Sequence, residues 1–288
     1  MHISGLEMLA AIPSPGTSGI TLGPLQLHAY GLMIALGVLA AVVLSKRRWA
    51  AYGADPDQIT HVALWSVPAG LIGARAYHVF TDWKQYHYED GWLEAFAVWK
   101  GGLGIPGGLA AGIVTAFWVM KRLKMDKAAA VDAIAPSLPL AQAIGRFGNW
   151  FNQELFGLPT TLPWGLRIDE RFRPELYADS ETFHPTFLYE AIWNVFLCLL
   201  LILIDRRKML RPGSILVAYI GGYGIGRLWI EAIRIDHASL LFGVRINIYM
   251  SAILIIGSLL YLLKTRAWSY SKTAAPNTET VDTDTDKK

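Results

Sequence analysis

Apolar residues gather in seven stretches of the chain, roughly 27–45, 60–80, 103–120, 128–146, 186–204, 213–233 and 245–263, separated by segments rich in charge, proline and glycine. An α-helix needs about 20 mostly apolar residues to cross a hydrocarbon core, where every backbone polar group must be paired within the helix. The pattern therefore predicts an all-α polytopic membrane protein with about seven transmembrane helices. The fourth stretch contains Asp132, Pro136 and Pro139. Proline removes a backbone donor and crowds the preceding turn, so a kink is expected there. The seventh, Arg245 to Leu263, is almost uniformly apolar and reads as an ordinary span.

The segments between the spans set the expected organisation. Residues 1–26, with Pro13, Pro15, Gly16 and Gly19, lack the basic start and apolar middle of a cleaved signal peptide and are expected to form an external N-terminal arm. Spans one to four occupy 27–146, with a second external arm at 81–102 whose Trp83, Trp92 and Trp99 suit the lipid headgroup level. The stretch 147–185, broken by Pro159, Pro163, Pro174 and Pro185, is long enough for a small external head. Spans five to seven lie within 186–266. From Ala267 the chain is expected to be a disordered cytoplasmic tail, its Thr-Asp repeat at 280–286 solvated rather than a cation site.

Orientation follows from the basic residues. Fourteen follow the odd-numbered spans: Lys46, Arg47 and Arg48; Lys121, Arg122, Lys124 and Lys127; Arg206, Arg207, Lys208 and Arg211; Lys264, Arg266 and Lys272. Only seven lie in the alternate loops: Lys84, Lys100, Arg167, Arg171, Arg173, Arg234 and Arg245. The positive-inside rule then puts the N-terminus outside and the C-terminus in the cytoplasm.

Composition sharpens the picture. Charged residues are 17% of the chain against about 25% in soluble domains. A net charge of +3 gives no case for nucleic acid, and a single cysteine excludes a disulfide framework. Cys198, among leucines and Phe196, is expected to be inert. The Gly102-Leu103-Gly104-Ile105-Pro106-Gly107 run has dinucleotide-binding spacing but leads into a span, not from strand to helix.

The informative charges are those in or at the edge of the spans: Arg75, Asp132, Arg146, Glu190, Arg227 and Glu231. Each costs about 2.5–3.5 kcal/mol at mid-bilayer on insertion scales, so several together imply use. Tyr219, Tyr223, Arg227, Glu231 and Arg234 recur at intervals of three or four along one helical face, and glycines 221, 222, 224 and 226 thin the backbone beside them. The segment Gly145 to Gly157 sets Arg146, Asn149, Asn152 and Glu154 among glycines. A guanidinium fork for phosphate and amides for hydroxyls suit an anionic headgroup. Arg75 and His78 share one face of span two, Glu190 opens span five, and His28 and Tyr30 open span one.

Together these motifs resemble the prolipoprotein diacylglyceryl transferase family. The matching segments are His28-Ala29-Tyr30-Gly31, Gly73-Ala74-Arg75, the glycine-rich 101–108 run, Gly145 to Gly157, His184 to Glu190, and Tyr223 to Arg227 with Glu231. The Gly-Arg-x-Gly-Asn-x-x-Asn-x-Glu core at 145–154 is the most specific of them. The resemblance implies a transferase that moves diacylglyceryl from phosphatidylglycerol to the lipobox cysteine of a prolipoprotein signal peptide, releasing glycerol-1-phosphate. It implies no cofactor and no metal, a monomer within membrane lipid, and a first step of lipoprotein maturation.

By motif position, Arg146 and Arg227 would hold the phosphate, Asn149, Glu154 and Gly157 would shape the pocket, and Tyr30 and Tyr223 would lie beside it, with Arg75, Glu231 and His28 as further substrate-binding candidates. Pro106 stands before Gly107-Gly108 where many members have histidine. Leaving-group stabilisation is therefore expected to dominate, with Tyr30, Tyr223, Glu154 or His28 assisting proton removal. The competing reading is a membrane transporter for a small anionic solute, which would need polar access from both faces.

Overall fold

A computed structural model describes residues 11–22, 25–86, 91–97 and 101–268. The first ten residues of the expected N-terminal arm, Trp99, Lys100 and the expected tail from 269 onward lie outside them. The main helices are α1 (Ala29–Ala51), α2 (Asp57–Thr81), α3 (Ile105–Arg122), α4 (Lys127–Ile134), α5 (Ser137–Asn152), α6 (Thr186–Arg206), α7 (Ser214–Ile233) and α8 (Ile246–Lys264). They coincide with the apolar stretches, the fourth being divided between α4 and α5. The break falls at Pro136, where the helical ladder ends with Ala135 N donating to Val131 O at 2.8 Å.

The distribution of polarity is reversed from that of a water-soluble bundle. Leu64, Ile72, Val114, Leu199 and Ile253 face outward, while Ser45, Asp132, Asn149, Glu190, Asn194, Glu231 and Ser251 are buried. Inside, Ser45 Oγ donates to Ser137 Oγ at 2.9 Å, the kind of small polar contact that links helices in lipid. Helices α1, α6, α8 and the α4–α5 pair are each long and apolar enough to cross a membrane. The architecture is that of a polytopic helical membrane protein.

Small residues set the closest crossing. A Cβ on Gly73 of α2 would fall 2.6 Å from the carbonyl oxygen of Gly107, and one on Gly70 would fall 3.3 Å from that of Gly108, so α2 and α3 approach backbone to backbone at these glycines. The glycines of the 101–108 run are thus spent on a helix crossing.

Short strands close one end of the bundle. An antiparallel hairpin, β1 (Gly19–Leu22) with β2 (Leu25–His28), runs directly into α1. In the head, β3 (Leu166–Arg167) pairs with β4 (Thr182–Phe183), and Ile12 bridges to Leu166. A hairpin of β5 (Leu240–Leu241) and β6 (Val244–Arg245) joins α7 to α8. Phe156, Leu166, Ile168, Phe183 and Phe187 form the core of this head, and the Trp150 ring stacks on Phe187 with centroids 5.8 Å apart.

The opposite end carries its own polar layer. The Asp132 carboxylate accepts from the backbone N–H of Gly213 at 2.6 Å and of Ile215 at 2.9 Å, capping the start of α7. Arg48, counted among loop charges in the sequence, is buried within α1 instead. Its guanidinium donates to the carbonyls of Asp132 and Ala133, left open by the Pro136 break, and pairs with Asp205 at 3.0 Å. Between the two layers lies an apolar cluster of Ala135, Leu197, Leu201 and Ile215.

Candidate active site

Four helix ends meet below the head: the C-termini of α5 and α7 and the N-termini of α6 and α8. Each contributes charge. Arg146 and Asn149 come from α5, Glu190 from α6, Arg227 and Glu231 from α7, and Asn247 from α8, with Arg234, Asp236 and Arg245 in the connection between the last two.

These groups form one continuous chain of contacts. Glu154 Oε1 accepts from Asn149 Nδ2 at 2.7 Å, and Asn149 Oδ1 lies 3.4 Å from Arg146 Nη1. Arg146 Nε then pairs with Glu190 Oε2 at 2.6 Å. The other Glu190 oxygen is 3.9 Å from both Arg227 Nη1 and Arg234 Nη1. Arg227 Nη2 lies 2.7 Å from Glu231 Oε2, and Glu231 Oε1 accepts from Arg245 Nε at 2.5 Å and Asn247 Nδ2 at 3.1 Å. Asp236 Oδ1 closes the chain, 2.6 Å from Arg234 Nε and 3.3 Å from Arg245 Nη2. A single carboxylate, Glu190, is thus shared by three guanidinia, an arrangement with unspent capacity for an anion.

Burial pushes the Asp236 carboxyl upward, but its bonds to Arg234 and the nearby Arg245 outweigh this and hold it below the usual carboxylate range. A cavity of about 260 Å³ opens beside Arg227 and Arg234 and extends to Asp236, His237, Ser239 and Asn247.

Local backbone geometry holds the cluster in place. Helix α5 ends with Gln153 at φ 51°, followed by Leu155 at φ 59°, two left-handed positions without glycine. Gln153 sustains the turn because its side chain accepts from Asp169 N and donates to Asp169 Oδ2, both at 2.8 Å, and to Pro15 O at 3.2 Å. The Leu155 carbonyl accepts from the Thr186 hydroxyl at the start of α6. Gly157 N donates to His184 O, and Leu158 N donates to Ile233 O at 2.9 Å, which ties α5, α6 and α7 together at the level of the arginines. Gly157 therefore acts through its backbone: a Cβ there would lie 2.9 Å from Ile233 O.

Tyr30, at the start of α1, packs against α5 at Gly148, between Arg146 and Asn149 in the chain. A Cβ on Gly148 would be 2.6 Å from the ring carbon Cδ2 of Tyr30. Tyr223 sits one turn before Arg227 and packs on Tyr219 with centroids 6.3 Å apart. The glycine face of α7 receives helices: Trp193 Nε1 donates to Gly222 O at 3.0 Å and packs on Gly226, while Gly224 meets Ser251 O of α8.

Two candidates lie apart from this chain. Arg75 donates to the carbonyls of Glu94, Ala95, Gly101 and Gly102 and stands over the Tyr86 ring at 5.3 Å, so its guanidinium is directed into the 83–104 arm. His28, at the end of β2, is exposed. Conversely, Glu190 was conspicuous in the sequence as a misplaced charge without an assigned site, while Arg245, Asp236 and Asn247 carried no signal beyond their place between two apolar runs.

This geometry coincides with clear relationships to known proteins. A family profile described as prolipoprotein diacylglyceryl transferase matches residues 18–264. The phosphatidylglycerol-prolipoprotein diacylglyceryl transferase of Rhodococcus jostii RHA1 is 46% identical over 271 residues, covering 90% of this chain and 76% of that protein. The second such enzyme of Streptomyces coelicolor is 47% identical over 256 residues, covering 88% of this chain and 81% of its own length. The Mycobacteroides abscessus protein of the same name is 43% identical over 269 residues, covering 88% and 78%. With its polar cluster formed by the motif residues and its match running from the first hairpin to the last helix, the chain belongs to the prolipoprotein diacylglyceryl transferase family.

Proposed function

We propose that the protein transfers the diacylglyceryl group of phosphatidylglycerol to the lipobox cysteine of a prolipoprotein signal peptide. The observation that carries this reading is the Glu190 carboxylate shared among Arg146, Arg227 and Arg234 at the head end of the bundle. The cysteine sulfur attacks the glycerol carbon that bears the phosphodiester oxygen. A sulfur–carbon bond forms, the carbon–oxygen bond breaks, and its electron pair leaves on the phosphate of glycerol-1-phosphate. Arg146 and Arg227 neutralise that growing charge, a contribution concentrated in the transition state.

A free thiol has a pKa near 8.5, so roughly a few per cent is thiolate at neutral pH, and the arginines favour more. Glu154 is our choice of proton acceptor, supported by the bond from Asn149 that orients it. In this reading Tyr30 and Tyr223 flank the cluster, Glu231 and Gly157 hold it, and His28, exposed at the end of β2, and Arg75, which holds the 83–104 arm, meet the substrate away from it. In this reading seven helices cross a bacterial inner membrane as a monomer, with the N-terminus and head outside and the C-terminus in the cytoplasm. Phosphatidylglycerol and the signal peptide both arrive within the outer leaflet. The apolar cluster between the two polar layers speaks against solute passage through the bundle.

The test is direct. Purified protein in lipid nanodiscs is given phosphatidylglycerol labelled in its acyl chains and a lipobox peptide. Label should appear on the peptide as a thioether; folded protein that transfers none defeats the reading.

A further inference from the structure

Helix α6 meets α7 through Glu190, Trp193 and Leu197, which recur at three and four residues and so share one helical face. Opposite them α7 presents Arg227, Gly226 and Gly222. A Cβ on Gly222 would fall 2.5 Å from Leu197 Cδ1, and one on Gly226 would run into Nε1 and Cδ1 of the Trp193 indole. Two side chains of α6 thus fill two notches of α7 beside the Glu190 and Arg227 pair. The indole also donates Nε1 to Gly222 O at 3.0 Å. In an α-helix that carbonyl already accepts from Gly226 N, and a side chain at 226, tilted toward the helix N-terminus, would cover it. The missing Cβ is what opens it to Trp193. The Trp229 ring packs edge-on against the indole, with centroids 6.5 Å apart.

Charge alone does not set this spacing. Glu190 Oε1 is 3.9 Å from Arg227 Nη1, beyond hydrogen-bond length, whereas Arg227 Nη2 reaches Glu231 on its own helix at 2.7 Å. The short bond of Glu190, 2.6 Å, goes to Arg146 on α5. Attraction would draw Arg227 and Glu190 together if α7 were free to turn, and a guanidinium fully bonded to carboxylates has less to offer a phosphate. Close-packed side chains resist such a turn, and the wedge nearest Arg227 is the indole on the preceding residue.

We infer that Trp193 is a positioning residue for the transfer: wedged on Gly226 and bonded to Gly222, it holds Arg227 just short of Glu190, so that the guanidinium keeps capacity for the departing phosphate. The inference rests on the transferase reading above and deepens it. Trp193 acts through the register of α7 rather than on the lipid. Arg227 contributes most as the carbon–oxygen bond breaks, so misplacing it lowers kcat more than it raises KM.

The experiment measures kcat and KM per folded molecule in nanodiscs, with labelled phosphatidylglycerol and a lipobox peptide. Trp193→Leu empties the notch, and its kcat should fall by about 10- to 100-fold, the scale for a displacement on the order of 1 Å at a group that acts on the transition state. Trp193→Phe keeps a ring but loses the N–H, and should fall between this and the wild type. Gly226→Ala drives a methyl into the indole and should be as slow as Trp193→Leu. In the double variant, Trp193→Leu with Gly226→Ala, the methyl takes space the indole has left, and kcat should regain at least about tenfold over the slower single variant. A wedge that serves stability alone would lower the yield and the unfolding midpoint while kcat per folded molecule stayed at the wild-type value. That result, or a double variant no faster than Trp193→Leu, overturns the positioning role and leaves the transferase reading intact. Where Gly226→Ala alone does not fold, Trp193→Leu against the double variant decides in the same way. No transfer by folded wild-type protein overturns both.

Discussion

The Nε of Arg146 lies 2.6 Å from one oxygen of Glu190, and the other oxygen of that carboxylate faces Arg227 and Arg234 at 3.9 Å. Arginines on two helices are thereby held by an acid from a third. Removing the acid leaves three guanidinia with mutual repulsion in a buried site, and breaking such a pair costs about 3–5 kcal/mol. Glu190→Ala should therefore lower the thermal unfolding midpoint in detergent markedly, and Glu190→Gln, which keeps volume and one acceptor, should lower it less. Equal midpoints for wild type and Glu190→Ala would show that the cluster is not stabilised in this way.

Arg227→Ala should reduce label transfer to a lipobox peptide by at least about 100-fold, the scale for losing one preorganised charge at a departing anion. Arg227→Lys should recover only part of it, because an ammonium is a point charge and cannot reproduce a fork that reaches Glu231 and Glu190 together. Full activity in the lysine variant would reduce the requirement to charge alone.

Gly148 and Tyr30 should behave as a coupled pair. Gly148→Ala drives a methyl into the Tyr30 ring, and overpacking of this kind costs about 1–3 kcal/mol. Tyr30→Ala removes the obstacle, so the double variant should be more stable than the sum of the single effects. A double-mutant cycle on unfolding midpoints reads this coupling, and additivity would place the ring elsewhere.

Arg75→Lys should loosen the 94–102 segment, because a lysine cannot serve four carbonyls at once. Limited proteolysis would report the change as faster cleavage within that segment. The KM for phosphatidylglycerol should rise less than in Arg227→Lys.

The connection between α7 and α8 should respond to acid. Burial raises the Asp236 carboxyl, but Arg234 and Arg245 prevail and lower it relative to the unfolded chain. A depressed carboxylate contributes stability above its unfolded pKa, near 3.9, and that contribution is lost as pH falls through the folded value. Amide exchange over 234–245 should therefore stay slow from neutral pH down to about pH 4 and accelerate below it, after correction for intrinsic rates. Asp236→Asn should exchange fast throughout.

Hydropathy made the helices legible, because in lipid the apolar positions need only length and continuity, and Pro136 announced the break between α4 and α5. The Arg227–Glu231 pair was legible for the same local reason, a spacing of four on one helix. What escaped the sequence depends on partners far along the chain. Nothing near Arg75 indicates that its acceptors lie 19 to 27 residues later. Nothing near Arg48 reveals the open carbonyls of Asp132 and Ala133. The glycines of α7 pointed to close approach, but only the packing shows that Trp193 and Ser251 make it. Glu190 joins the site because α6 begins at the level where α5 and α7 end.

The bond from Asn247 to Glu231 bears on how the protein is made. Glu231 and Arg227 lie on α7, yet the groups that complete their shell, Arg245 and Asn247, are synthesised a dozen or more residues later and become fixed only when α8 packs against α7. Until α8 is in place the charged centre is therefore unfinished, and docking of the last helix completes the shell of Glu231.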